Sequence, residues 1–257
     1  MTAAVPRLCY SAPGMSNPFY EPGERRAARV IDLFAAIAPR YDLINDLQSL
    51  GMHRRWKRRF IQLARVQPRE RALDLCCGTG DIAFALASQG AQVIGLDFSA
   101  PMLAVAQTRL AGKSPPASTA TSPQFVRGDA IRIPFSDDSF DVVTIAYGLR
   151  NLAGFNQGLR EMWRVARPGG RLLALDFGKP DNPLWRSLYF GYLKRIVPLF
   201  GKVFCGKAET YAYIMESLKH YPAQHGVAAE LRQLNCGRIR VLTLLGGAMS
   251  INCGEKV

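Results

Sequence analysis

Apolar residues change their spacing partway along the chain. From Glu24 they recur at helical intervals, with Ala28, Ile31, Phe34 and Ala35 on one face. Pro39 interrupts that run before Tyr41-Asp42-Leu43-Ile44-Asn45-Asp46, and a second helix is predicted over 53–66, after Gly51. Beyond residue 70 the helical period gives way to short apolar runs. Ala72-Leu73-Asp74-Leu75 and Val93-Ile94-Gly95-Leu96 read as buried strands, being too short for helices and flanked by turn residues. Further strands are predicted over 124–127, 141–146 and 171–177, with helices over 82–88, 100–110 and 155–166. The segment 112–123, rich in Pro, Ser and Thr, reads as a surface loop. Toward the end, helices near 209–219 and 226–234 precede two closing strands near 239–245 and 248–253.

Strands alternating with helices predict an α/β fold: a mainly parallel, Rossmann-like sheet covered on both faces. No internal repeat is visible. The simplest division is a disordered start over residues 1–23 and one domain over 24–257, of which 24–69 form an N-terminal helical extension. The first twenty residues hold no acid and one base, Arg7, and Met15 is a second candidate for the start of the functional protein.

At 48% hydrophobic and 21% charged over 257 residues, the chain has enough apolar material for one sizeable core. It has no apolar run long enough for a membrane-spanning helix. The net charge of +13 points to an anionic partner, nucleic acid or a lipid surface. The cysteines, Cys9, Cys76, Cys77, Cys205, Cys236 and Cys253, form no C-x-x-C pair, and His53, His220 and His225 complete no zinc pattern. Reduced thiols, no metal and a cytoplasmic location are therefore expected.

The candidate chemistry lies at the glycine turn. Gly78-Thr79-Gly80 follows the first strand and opens a helix, where small residues let backbone approach a ligand and helix N–H groups are free. Gly78-x-Gly80-x-x-Ala83, with Asp97 nineteen residues after Gly78, also fits a dinucleotide site. Charge argues against that reading, because Asp74 and Asp81 flank the turn. They would repel a pyrophosphate and attract an ammonium or sulfonium, a pairing worth roughly 4 kcal/mol at 4 Å and a dielectric of 20 before desolvation. Asp97 ends the second strand, where a carboxylate can take both hydroxyls of a ribose. Phe98 beside it can cover an adenine, and Asp129, next to Ala130 after the third strand, can accept from the adenine amino group. Strand ends converging on a nucleoside with a cationic tail describe S-adenosylmethionine.

With those residues placed, the chain resembles the class I methyltransferases in Leu73-Asp74-Leu75-Cys76-Cys77-Gly78-Thr79-Gly80-Asp81, in Asp97-Phe98-Ser99-Ala100-Pro101-Met102-Leu103 and in Arg164-Val165-Ala166-Arg167-Pro168-Gly169-Gly170. More narrowly it is similar to the menaquinone and ubiquinone C-methyltransferases. That likeness rests on Phe34-x-x-Ile37-Ala38-x-x-Tyr41-Asp42-x-x-Asn45-Asp46, Leu50-Gly51-x-His53-Arg54-x-Trp56-Lys57 and Tyr147-Gly148-Leu149-Arg150-Asn151. The resemblance carries the cofactor contacts onto Thr79, Asp97, Asp129 and Ala130. It implies methyl transfer to a ring carbon of a reduced, prenylated quinol. Cys76-Cys77 and Tyr147 lean toward demethylmenaquinol, with ubiquinone or phylloquinone precursors as alternatives.

Arg150 is the first candidate for the reacting centre, holding a phenolate while an ordered water relays the proton, rather than acting as a base itself, since a guanidinium stays charged. Asn151 would orient it. His53, which ordinarily titrates near neutrality, is the alternative proton acceptor. Five cations between residues 54 and 59 surround Trp56, and the stretch 184–204 carries Trp185, Tyr189, Phe190, Tyr192 and Phe200 with four bases and no acid. That composition suits an anionic membrane surface, peripherally bound at its inner face. The expected partners are thus a prenylated quinol and anionic lipid, with a homodimer compatible with the sequence and no nucleic acid. Two rivals remain to be discriminated: an RNA methyltransferase, and a non-catalytic protein on the same fold.

Overall fold

A computed structural model of the chain describes residues 45–46, 49–112, 120–197, 215 and 217–257. The predicted helix beginning at Glu24, the Met15 start, most of the loop at 112–123, and residues 198–204 of the basic aromatic stretch lie outside the described residues. So does most of the helix predicted near 209–219.

The short apolar runs become strands, the central ones buried on both faces and the two at the sheet edges partly exposed. They are β1 (Arg71–Leu75), β2 (Gln92–Asp97), β3 (Gln124–Arg127), β4 (Phe140–Ala146), β5 (Ala166–Phe177), β6 (Cys236–Leu244) and β7 (Met249–Lys256). They form one sheet in the order β3-β2-β1-β4-β5-β7-β6. β3, β2, β1, β4 and β5 run parallel, while β7 pairs antiparallel with both β5 and β6. The predicted strands are therefore found, and β5 begins five residues earlier than the apolar run, at Ala166. Its Pro168-Gly169-Gly170 segment is accommodated by a register shift against β4 between Phe140 and Val142.

Side chains alternate across the sheet and so divide the core in two. Leu73, Val143, Ile145, Leu172 and Ala174 point to one face, beneath α4 (Phe155–Val165), α5 (Pro183–Arg195) and α6 (Ala223–Gln233). Ala72, Val142, Leu173, Leu175 and Ile251 point to the other, beneath α1 (Met52–Ala64) and α2 (Asp81–Ala87). A further helix, α3 (Ala100–Ala111), connects β2 to β3. α1 buries Phe60, Ile61 and Ala64 against this second face, and Arg171 donates to the Arg65 carbonyl at its end. Since Arg171 opens the apolar part of β5, α1 runs antiparallel to that strand and its N-terminus lies toward the sheet's C-terminal edge.

Candidate functional site

Strand order reverses between β1 and β4, and the loops leaving those two strands must diverge there. Such a switch point is where open α/β sheets bind ligands. The loops touch before they part: a Cβ at Gly148 would lie 2.5 Å from the Cβ of Cys76, so the chain after β4 needs glycine there. In the turn after β1, Gly80 has φ 89° and an added Cβ would meet the rings of Phe84 and Phe125 at 2.9 Å. The glycine turn is thus fixed by its packing as well as by its backbone.

Asp97 closes that turn. Its Oδ2 accepts from the Gly78 amide at 2.8 Å and its Oδ1 from the Ser99 amide at 2.8 Å. Two amides use only part of a carboxylate's acceptor capacity, which leaves room for two hydroxyls. Burial raises the Asp97 pKa, opposed by those backbone amides. Phe98 beside it is 44% exposed, with the Arg127 guanidinium 5.8 Å from its ring centroid. Asp129 accepts from the Ile131 amide through Oδ1 at 3.0 Å, and Ala130 is buried next to it. Thr79 is buried within the turn. The predicted cofactor residues are therefore gathered at the ends of three adjacent strands.

Asp74 is the deepest of them. It is almost fully buried on the sheet face covered by α1 and α2. Oδ1 accepts from the Thr144 hydroxyl at 2.9 Å; the Ala83 amide lies near the carboxylate, and Oδ2 completes no hydrogen bond of ordinary geometry. Burial pushes its pKa up to about 7, against the pull of Thr144 and the Ala83 amide. An unpartnered buried carboxylate oxygen is costly to leave so and calls for a donor. A cationic ligand tail would supply one.

Asp81 behaves differently from expectation. Lys57 of α1 donates to its Oδ2 at 2.6 Å and Arg109 of α3 to its Oδ1 at 2.7 Å. Burial alone would raise its pKa, but these two cations outweigh it and hold the carboxyl below its ordinary value. Its charge is already balanced, so the attraction for a cationic ligand expected of an Asp74–Asp81 pair falls to Asp74. Arg109 also donates to the Thr79 carbonyl at 2.9 Å and thereby ties α3 to the turn. Neither Arg109 nor the role of Lys57 stood out in the sequence, because the partners are more than twenty positions apart.

Arg150 follows β4 in a 3-10 turn, Leu149–Asn151, and is buried. Its Nη1 donates to Asp176 Oδ1 at 2.9 Å and to the Tyr147 carbonyl at 2.8 Å, while its own amide donates to Asp176 Oδ2 at 3.0 Å. The guanidinium also lies 4.5 Å from the Phe177 ring centroid. Asn151 donates to the same Tyr147 carbonyl at 3.1 Å. It thus shares an acceptor with Arg150. Asp176, at the end of β5, is the partner that sequence reasoning missed.

His53 lies at the start of α1, buried, one turn before Lys57 on the same side of the helix. Its Nε2 is 2.9 Å from Asp46 Oδ1, and its Nδ1 is buried with no hydrogen-bond partner. Arg54 also donates to Asp46. Burial, with Lys57 nearby, pushes the His53 pKa down to about 4, in place of the expected titration near neutrality.

Among the described residues no group of His, Cys, Asp and Glu could hold a metal ion. Residues 23–256 match the ubiE/COQ5 methyltransferase family. The chain is 39% identical over 237 residues to the demethylmenaquinone methyltransferase of Desulfitobacterium hafniense, covering 91% of this chain and 92% of that protein. It is 40% identical over 238 residues to a ubiquinone/menaquinone biosynthesis C-methyltransferase, UbiE, of Ectopseudomonas mendocina, covering 91% of each. Among solved structures, a SAM-dependent methyltransferase from Thermotoga maritima shares the fold with a TM-score of 0.59 at 16% identity, over 88% of this chain and 99% of that one. The [4+2]-cyclase SpnF shares it with a TM-score of 0.57 at 15% identity, over 88% and 94%. Fold alone thus leaves the chemistry open, whereas the match along nine-tenths of the sequence does not: the chain belongs to the ubiE/COQ5 methyltransferase family and is a methyltransferase.

Proposed function

We propose that the protein moves the methyl group of S-adenosylmethionine onto a ring carbon of a reduced, prenylated quinone, demethylmenaquinol foremost. The observation that carries the donor is Asp74, whose buried Oδ2 lacks a partner beside the glycine turn. A positively charged tail satisfies it and a pyrophosphate does not. The quinol ring is supported by the relatives named for that substrate class.

S-adenosylmethionine, when bound, supplies an electrophilic methyl group on a sulfonium. On this reading Asp97 accepts from the ribose hydroxyls, Phe98 covers the adenine, and Asp129 with the Ala130 amide takes its polar edge. Gly78, Thr79 and Gly80 bring backbone close to the amino-acid tail, whose ammonium pairs with Asp74. Arg150 stabilises phenolate character on the quinol. Asp176 and the Tyr147 carbonyl hold its guanidinium rigid for that task, and Asn151 steadies the same carbonyl.

His53 takes the ring proton. Asp46 accepts from Nε2–H, which leaves the lone pair on Nδ1. A base of pKa about 4 is too weak for a phenol, whose pKa is near ~10. It is sufficient for a strongly acidic sp3 ring carbon carrying both the new methyl and the old hydrogen. As the C–CH3 bond forms, the S–CH3 electron pair stays on sulfur. The C–H pair then returns to the ring as its proton passes to Nδ1.

Purified protein incubated with S-adenosylmethionine and either demethylmenaquinol or the ubiquinol precursor, followed by mass spectrometry, tests the reading. A mass gain of one methylene unit on the naphthoquinol is expected. Methylation of the benzoquinol alone would move the substrate to the ubiquinone branch, and methylation of neither would overturn the proposal.

A further inference from the structure

α1 carries five cations in six positions, and the fold divides them. Lys57 turns inward to Asp81, while Arg54, itself exposed, pairs with Asp46. Arg55, Arg58 and Arg59 are exposed, and among the described residues none of the three pairs with a carboxylate. They line a groove of about 700 Å³ between α1 and the edge strand β6, together with Met52, Trp56, Leu242, Leu244 and Leu245. No acid lines it.

Leu245 joins this groove to a second feature. It is 46% exposed, and its carbonyl accepts from the Trp185 indole at 3.0 Å. Trp185 belongs to the first turn of α5, where Leu184 is 81% and Leu188 65% exposed. These two leucines are four positions apart and share one helix face. The other aromatic residues of α5 look the other way: Tyr189 is buried, and Phe190 and Tyr192 pack against the core. Of the described part of the basic aromatic stretch, the first turns offer the most exposed bulky apolar side chains, Leu184 and Leu188, with Ile196 exposed at its end. The aromatic content read from the sequence mostly serves the interior.

We propose that Leu184, Leu188 and Leu245, with the arginine row of α1, form the face by which the protein docks on an anionic bilayer. The leucines enter the acyl boundary, and Arg55, Arg58 and Arg59 meet lipid phosphates across the groove. Charge complementarity favours this occupant over a second copy of the chain, because two such faces would oppose six arginines with no carboxylate between them. The choice of a bilayer over another anionic surface rests on the prenylated substrate proposed above. α1 then separates lipid from chemistry, with the arginine row on one side and His53 and Lys57 on the other. An isoprenoid chain leaving the bilayer meets the apolar groove first.

The test is co-sedimentation of the full chain with vesicles of phosphatidylcholine, with and without one-third phosphatidylglycerol. Tested alongside are the variants R55Q/R58Q/R59Q and L184S/L188S, with circular dichroism to verify their folds. Binding is expected to rise with anionic lipid and to fall with salt. Loss of three arginines should lower the partition coefficient by about a hundredfold and flatten the salt dependence, at roughly 1 kcal/mol per cation. The leucine variant should bind less at every salt concentration with the salt slope kept. Turnover of a quinol with a truncated, water-soluble tail should be unchanged in both variants. Equal binding of wild type to neutral and anionic vesicles, variants that bind like wild type, or a preference for an RNA oligonucleotide over anionic vesicles would each overturn the proposal. Failure of the quinol reading is separately visible, as wild-type protein that binds vesicles yet methylates neither quinol.

Discussion

At the scale of single residues the site depends on which buried charges have partners. Asp74 has half of what it needs, and two measurements follow. Its folded pKa of about 7 exceeds the unfolded value of 3.8, so the native state holds more protons across that interval. Stability contributed by this group is therefore fully present below about pH 4 and lost as pH rises through 7. Asp74→Asn removes the ionisation while keeping an acceptor for Thr144. Relative to wild type it should gain stability between pH 4 and pH 8, by up to ~4 kcal/mol for three pKa units. Chemical denaturation at the two pH values measures it, and a flat difference would refute the buried-charge account. The same variant should bind S-adenosylmethionine about 10–100-fold more weakly at pH 8, a charged hydrogen bond having been lost. His53 makes a sharper case. If it removes the ring proton, His53→Gln makes that step rate-limiting, and a quinol deuterated at the reacting carbon should then turn over several times more slowly than the protonated one. Wild-type protein should show little such effect, and donor affinity should be unchanged. A loss of activity without an isotope effect would leave His53 a structural residue holding Asp46.

Elements were far more legible than their pairings. Every described strand after residue 70, and each described α-helix except α5, was signalled by a change of apolar period or by a glycine, because those signals are local; the stretch that holds α5 was read only for its bases and aromatic residues. The antiparallel insertion of β7 between β5 and β6 was not, since register across a sheet is set by contacts distant in sequence. The site divides the same way. Gly78, Gly80, Asp97 and Asp129 were readable because each sits at a strand end, where sequence position implies place. Thr144 for Asp74 and Asp176 for Arg150 lie seventy and twenty-six positions from their partners, and nothing local announces them. The error over Asp81 has the same origin: a carboxylate after a glycine turn looks like a ligand group until Lys57 and Arg109 arrive from α1 and α3. The aromatic content of α5 misled for a geometric reason. Tyr189 and Leu193, four apart, form its buried stripe, while Leu184 and Leu188 form the exposed one.

At the scale of the whole molecule, the net charge of +13 would by itself favour phosphate-bearing ligands over a cationic one. The reading of the site requires the local field to override that global one. It can do so because Asp74 lies in the low-dielectric interior, where one unpaired carboxylate outweighs many solvated arginines. Ligand-dependent melting decides between the two fields. S-adenosylmethionine at a hundred times its dissociation constant should stabilise the protein by about 2.7 kcal/mol, which for a chain of this size raises Tm by roughly 5–10 °C. NAD at the same concentration should leave Tm within about 1 °C, since its pyrophosphate would face Asp74 and gain nothing from Asp81. The ordering should persist in 0.5 M salt, where surface attraction is screened and a buried pairing is not. A larger shift with NAD, or a response to S-adenosylmethionine that vanishes in salt, would mean that the surface field governs the site and that Asp74 does not select the ligand.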